Sequence, residues 1–230
     1  MRLNNEQVAS KPLGCLTGAM SNKTETLAFP HQVPPSSPIL RQVANVVPLQ
    51  NITAPETQEI IDIMFEVAHG AQGDASRPTL VGLAAPQIGI AKRIVIIGIN
   101  AVGAGEQPEL KVFINPEIID ISEEQEEGRE GCFSTSRVCG IVNRAVRVTV
   151  KAYDRKGRTF TWKFKGFPAR VAQHEVDHLN GIRFPDRITD DSKLHWVEED
   201  EFGVYREQWR GWTKLCPRTR WNEIKLPILT

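Results

Sequence analysis

The five residues His174-Glu175-Val176-Asp177-His178 constrain this chain more than any other stretch. They set two imidazoles four positions apart with a carboxylate between them. Four positions of α-helix are about 400° of rotation, so both rings lie on one face, one turn apart. Pro168 stands where a helix starts and Asn180-Gly181 where one stops. Between them Val171, Ala172, Val176 and Leu179 make the segment mostly apolar, which predicts a central, buried helix. Residues 93–99, 111–119 and 146–153 read as strands. Residues 154–157 are a hairpin turn signal. Behind it Phe160, Trp162 and Phe164 alternate with Thr159, Thr161 and Lys163, the mark of a strand with one buried face. The predicted fold class is therefore α+β, with antiparallel strands around the central helix that carries the two histidines, and a helical C-terminal extension.

The remaining organisation follows from caps and composition. Thr53-Ala54-Pro55-Glu56 reads as a capping box with Thr53 as N-cap. Ile60, Ile61, Met64, Phe65 and Ala68 give that helix its apolar face, and Gly70 ends it. Residues 70–78 are small and polar and read as a loop. A helix capped by Ser192 is expected to run to about Trp212, although Gly203 weakens it. Residues 1–38 are expected to be a disordered lead-in, 39–190 a catalytic domain and 191–230 an extension rich in tryptophan and basic residues.

At 230 residues the chain can bury one sizeable core. It carries 28 cationic and 28 anionic side chains, so its formal net charge is zero. That balance argues against DNA or an anionic membrane as the main partner. No apolar run reaches membrane-spanning length; residues 94–99 are only strand-sized. The four cysteines are widely spread with no secretion signal ahead of them, so reduced thiols are expected. A cytoplasmic location follows, or an organelle if the source is a eukaryote.

Two neutral imidazoles at this spacing can grip one divalent ion, and Glu175 sits where it could move protons for a water that the ion activates. Two histidines leave the ion short of ligands. Glu117 and Asp120 could complete the set, but Cys132 is the sharper candidate, with Gly131 beside it allowing close backbone approach. Two histidines and a cysteine with an open fourth position form a catalytic pattern, where a closed set of four would be structural. A third cluster, Gly82-Leu83-Ala84-Ala85-Pro86-Gln87, has almost no side-chain bulk, and Pro86 would help aim an amide N–H at a developing oxyanion.

Together these segments resemble the peptide deformylases. The family's first motif corresponds to residues 80–87, its second to Glu130-Gly131-Cys132-Phe133-Ser134 and its third to Gln173 and the five residues after it. The resemblance covers residues 39–188 and implies removal of the formyl group from N-formylmethionine of nascent polypeptides. It implies metal ligands at Cys132, His174 and His178, and a catalytic glutamate at Glu175. The oxyanion groups fall on the Gln87 side chain and the Phe133 backbone N–H. Val81, Gly82 and Gly131 match positions that hold the substrate backbone like an added strand. The implied ion is Fe²⁺ in the cell, with Zn²⁺, Ni²⁺ or Co²⁺ able to replace it. Two departures stand out: Leu80 replaces the first glycine of the first motif, and Phe133 stands where leucine is common. The rivals are a zinc endopeptidase, which would need a third ligand downstream of the helix, and a relative that binds formylated chains without turnover.

Glu130 and Asp177 are the expected partners of the ring N–H groups, with Arg144 pairing Asp177. The acidic run around Glu123–Glu127 is expected to be a solvated loop, with Glu130 alone turning inward. Cys139 is read as core packing, and His69 and His195 as surface or cap residues. Trp196, Trp209, Trp212 and Trp221 lie among Arg206, Arg210, Lys214, Arg218, Arg220 and Lys225. Packing of the tail onto the domain is the expected role of these tryptophans, with contact to ribosomal RNA as the alternative.

Overall fold

The computed structural model describes residues 32–70, 80–103 and 107–226. After a short 3-10 turn at Pro38–Arg41, α1 (Pro55–His69) leads into β1 (Gly82–Ala84), β2 (Ile94–Gly98) and β3 (Leu110–Ile121). Next come β4 (Gln125–Gly131), β5 (Val138–Ala145), β6 (Arg147–Tyr153) and β7 (Thr159–Lys165). They are followed by α2 (Phe167–Leu179), β8 (Leu194–Trp196), α3 (Phe202–Gln208) and α4 (Arg218–Lys225). All strand pairs are antiparallel and form two sheets, ordered β1-β2-β3-β6-β7 and β4-β5-β8.

The core explains the order. In β2, Val95 and Ile97 face α2, packing with Phe113, Val150, Ala169, Ala172 and Leu179. Ile94 and Ile96 face the other way, onto Ile61, Met64, Val67 and Ala68 of α1. A strand covered on both faces shows a continuous apolar run rather than alternation. β7 has one covered face, so Phe160, Trp162 and Phe164 alternate with exposed Thr159, Thr161 and Lys163.

Several expectations are corrected. α1 starts one residue later than its box signal: Ala54 is the N-cap, with no side-chain oxygen to accept from the first turn, and Pro55 opens the helix at a position that needs no N–H. Gly70 does end it, in the left-handed conformation at φ 71°. The acidic run is only partly a loop: Glu123 and Glu124 lie in the exposed turn before β4, Glu126 and Glu127 lie exposed on β4 itself, an edge strand where like-charged side chains are tolerated, and Glu130 turns inward as expected. The helix expected from Ser192 is replaced by one 3-10 turn capped by Asp190, then β8, because Leu194 is wholly buried where it pairs with β5. α3 begins only at Phe202, and α4 went unanticipated. The lead-in does not extend to residue 38, since the Val33 amide already donates to the Gln87 carbonyl at 3.1 Å. Residues 1–31, with His31, and most of the loop read at 70–78 lie outside the described residues. The tail lies on the domain: Trp221 is fully buried beside Phe184, Ile188 and Leu194, and Trp209 and Trp212 pack around Tyr205.

Candidate active site

α2 carries the site because its two ends are set firmly. Pro168 lies in its first turn, and Gly181, at φ 72°, passes so close to Arg41 that a Cβ would stand 2.8 Å from that backbone. His174 and His178 project from one face, and Nε2 of His178 lies 3.2 Å from Nε2 of His174 and 3.3 Å from Sγ of Cys132. Cys132 arrives from the end of β4 and opens the 3-10 turn Phe133–Thr135, where its sulfur accepts the Ser134 amide. The sequence separates these residues widely, yet all three ligand atoms lie within 4.8 Å of one another.

This set fits a divalent cation. An ion at bonding distance from two imidazoles and a thiolate spaces neighbouring ligand atoms by roughly 3.4–3.7 Å, close to the 3.2 and 3.3 Å observed. Glu130 accepts from Nδ1 of His174 at 2.9 Å, which leaves Nε2 as the lone-pair donor. Burial would lower the His174 pKa, but hydrogen bonds to Cys132 and Glu130 raise it well above the usual range. The surroundings thus call for a positive charge at this point, and a bound cation supplies it without a proton. Burial, with His174 next, holds His178 in its neutral form.

Behind the ligands is a buried ion-pair network. Arg144 donates to Glu130 at 2.8 and 2.9 Å and to Asp177 at 2.6 Å. Arg170 donates to Glu130 at 3.0 Å, and Arg187 pairs with Asp177. Burial alone would raise the Glu130 carboxyl, but the Arg144 and His174 hydrogen bonds hold it well below the usual range. Arg144 joins Asp177 as expected, but Asp177 is not the acceptor of a ring N–H, since Nδ1 of His178 has no hydrogen-bond partner among the described residues. Arg170 was missed although it lies one helical turn before His174, and helical periodicity could have found it.

Glu175 is buried beside the ligands, and its Oε2 has no partner among the described residues. Burial pushes its carboxyl up to about 7. The Gln87 oxygen accepts the Ala84 amide at 2.7 Å, which turns its NH₂ toward Cys132 Sγ and Ser134 Oγ, each at 3.2 Å. Ser134 is a partner that sequence reasoning passed over, although it lies within the second motif. Phe133, Leu80, Val81, Gly82 and Gly131 all line one cleft with these groups. β1 and β4, at the edges of their sheets, both border it. Leu80 sits on the α1 side, where its amide donates to Ala68.

The remaining candidates stay apart from the cleft. Cys139 is buried in the core, and burial pushes its thiol up to about 12. His195 is not a surface residue: it is 2% exposed, with Nδ1 3.0 Å from the Tyr205 hydroxyl. Lys214, Arg218 and Lys225 are paired with Glu201, Asp191 and Asp186, and Arg220 stacks on Trp196. No helix among the described residues is long and apolar enough to cross a membrane.

Comparisons with known proteins agree with this geometry. A family model described as polypeptide deformylase matches residues 32–194. The peptide deformylase of Halalkalibacterium halodurans is 43% identical over 160 residues, covering 66% of this chain and 86% of that one. That of Halothermothrix orenii is 43% identical over 151 residues, covering 66% and 88%. A class I type b peptide deformylase from Acinetobacter baumannii, solved with Met-Ala-Ser bound, matches with a TM-score of 0.61 at 34% identity, over 70% of this chain and 98% of that one. The match spans the domain that holds the cleft, and the chain belongs to the polypeptide deformylase family.

Proposed function

We infer that this deformylase removes the formyl group from N-formylmethionine of newly made polypeptides through Glu175, with Cys132, His174 and His178 holding one divalent ion. When bound, such an ion polarises the formyl carbonyl and makes water acidic enough to attack near neutral pH. Glu175 accepts the proton of the attacking water and then delivers it to the departing amine as formate leaves. The Gln87 NH₂ and the Phe133 N–H donate to the charge growing on the formyl oxygen. Val81, Gly82 and Gly131 pair with the substrate backbone, adding it as a strand between two sheet edges. The relative from Acinetobacter binds Met-Ala-Ser, a Met-first peptide of the kind that deformylation leaves behind.

The observation that carries the reading is the orphaned carboxylate oxygen of Glu175 next to three converged ligand atoms. Fe²⁺ is the resident ion on this reading, although imidazole and thiolate also accept Zn²⁺, Ni²⁺ or Co²⁺. The work belongs where formylmethionine-initiated chains emerge, in the cytoplasm or, in a eukaryote, an organelle. The endopeptidase alternative loses its third ligand, because His195 is engaged with Tyr205.

The test is formate release from formyl-Met peptides by anaerobically purified protein with its metal counted. A peptide cleavable only at an internal bond serves as control. Glu175→Ala should lose on the order of 10²–10⁴ in rate and keep its ion. A variant near full speed would refute the proton-transfer role.

A further inference from the structure

Two adjacent residues, well ahead of α1, touch both of the groups assigned to the oxyanion. The Val33 N–H donates to the Gln87 carbonyl at 3.1 Å. The side-chain amide of Gln32 donates to the Phe133 carbonyl. Each carbonyl belongs to a short turn at the cleft. Gln87 lies near the end of the 3-10 helix Ala85–Ile88, where Ala85 and Pro86 already accept from Ile90 and Gly89. The turn at Phe133–Thr135 closes through Thr135 onto the Cys132 carbonyl. Val33 also lies over Gly89, whose φ is +82° and where a Cβ would stand 3.3 Å from Val33 Cγ1.

The same segment is gripped from its other end. Arg183 donates from Nη1 to the Pro35 carbonyl at 2.5 Å. Its side chain is only 1% exposed and stacks over Trp221 of α4, 4.6 Å from the ring centroid. Its Nε and Nη2 have no hydrogen-bond partner among the described residues. A guanidinium buried in this way is unfavourable unless it holds something, and an apolar side chain of the same length would fill the space more stably. Pro34 and Pro35 each fix φ, so few torsions separate the Arg183 grip from Val33.

We propose that residues 32–35 are a positioning strap: Gln32 and Val33 hold the Phe133 backbone and Gln87 at a fixed separation, and Arg183, backed by Trp221, keeps the strap in register. This rests on the deformylase reading of Gln87 and Phe133. The strap touches no reacting atom and acts through the two donors. Losing one oxyanion donor outright costs about 10²–10³ in kcat, so loosening one costs less.

The test uses Gln32→Met and Arg183→Met, which remove the donor and the grip with little change in volume. Each should lower kcat on a formyl-Met tripeptide about tenfold, with KM within twofold and one ion still bound per chain. Gln32→Lys restores a donor and should recover most of the lost kcat. Amide hydrogen exchange in segments 85–89 and 133–135 should speed up in the two Met variants and return toward wild type in the Lys variant. Exchange does not depend on turnover, so a wild type that releases no formate sinks the deformylase reading while the strap is still tested. Unchanged exchange overturns the strap in either case. In an active enzyme, so does a kcat within twofold of wild type, or a fall in kcat accompanied by loss of the ion or of the folded state.

Discussion

Adding a single methyl group at Gly82 tests how tightly the cleft is built. A Cβ there would overlap Oε1 of Glu175 and stand 2.8 Å from Cγ1 of Val171 and 2.9 Å from Cδ of Glu175. Carbon atoms rest comfortably at about 3.5–4.0 Å, so these atoms must part by roughly 0.6–1 Å. Val171 and Glu175 are neighbours one turn apart on α2, and the helix cannot relieve one contact without moving the other. Overpacking of this kind costs about 1–3 kcal/mol, or roughly 2–12 °C in Tm for a chain of this size. A displacement of about 1 Å at a reacting group costs about 10²-fold in rate. Gly82→Ala is therefore expected to lower kcat for formate release by about two orders of magnitude while the ion stays bound. Steady-state kinetics, metal counting and a thermal melt measure the three quantities. A kcat within threefold of wild type with an unshifted melt would refute the claim that Gly82 makes room for Glu175.

Arg144→Met should destabilise the chain by about 3–5 kcal/mol, because it withdraws the cation shared by two buried carboxylates. It should also weaken ion binding by about 10–100-fold; a metal titration that matches wild type would remove the network from the orientation of His174. Asp186 tests the tail. Burial would raise its carboxyl, but hydrogen bonds from Lys225 and Trp221 lower it below its ordinary value. A carboxylate lowered on folding contributes stability above its unfolded pKa, about 3.9, and loses it as pH falls through the lower folded value. Asp186→Asn should thus lower Tm by a few degrees at pH 6, and the gap to wild type should close as the pH falls below the unfolded value. A gap that persists in acid would assign the effect to shape rather than charge.

What the sequence made legible was whatever it encodes locally. The helical spacing of His174 and His178 and the alternation of β7 each act over a few residues, and the structure shows both rings converging with Cys132 and β7 with one covered face. β4 was hidden because an edge strand tolerates Glu126 and Glu127, which look like a solvated run when no partner strand is known. β1 is only three residues long, too short for any period to register. β8 was missed because Leu194 takes its conformation from pairing with β5, and pairing is not local. Gln32 and Val33 meet their partners across the whole domain, and nothing in their own neighbourhood marks them. Arg183 was equally unreadable, since arginine ordinarily signals a surface.

The cleft lies between two strands that stand at the edges of their sheets. What such borders recognise is the repeating amide, which is identical in every protein ever translated. An enzyme that held its substrate this way, as proposed for Val81, Gly82 and Gly131, would be nearly blind to side chains beyond the first, and such blindness would suit a catalyst that must serve a whole proteome. Selectivity is then left to the one end of the chain that is chemically unlike all the rest.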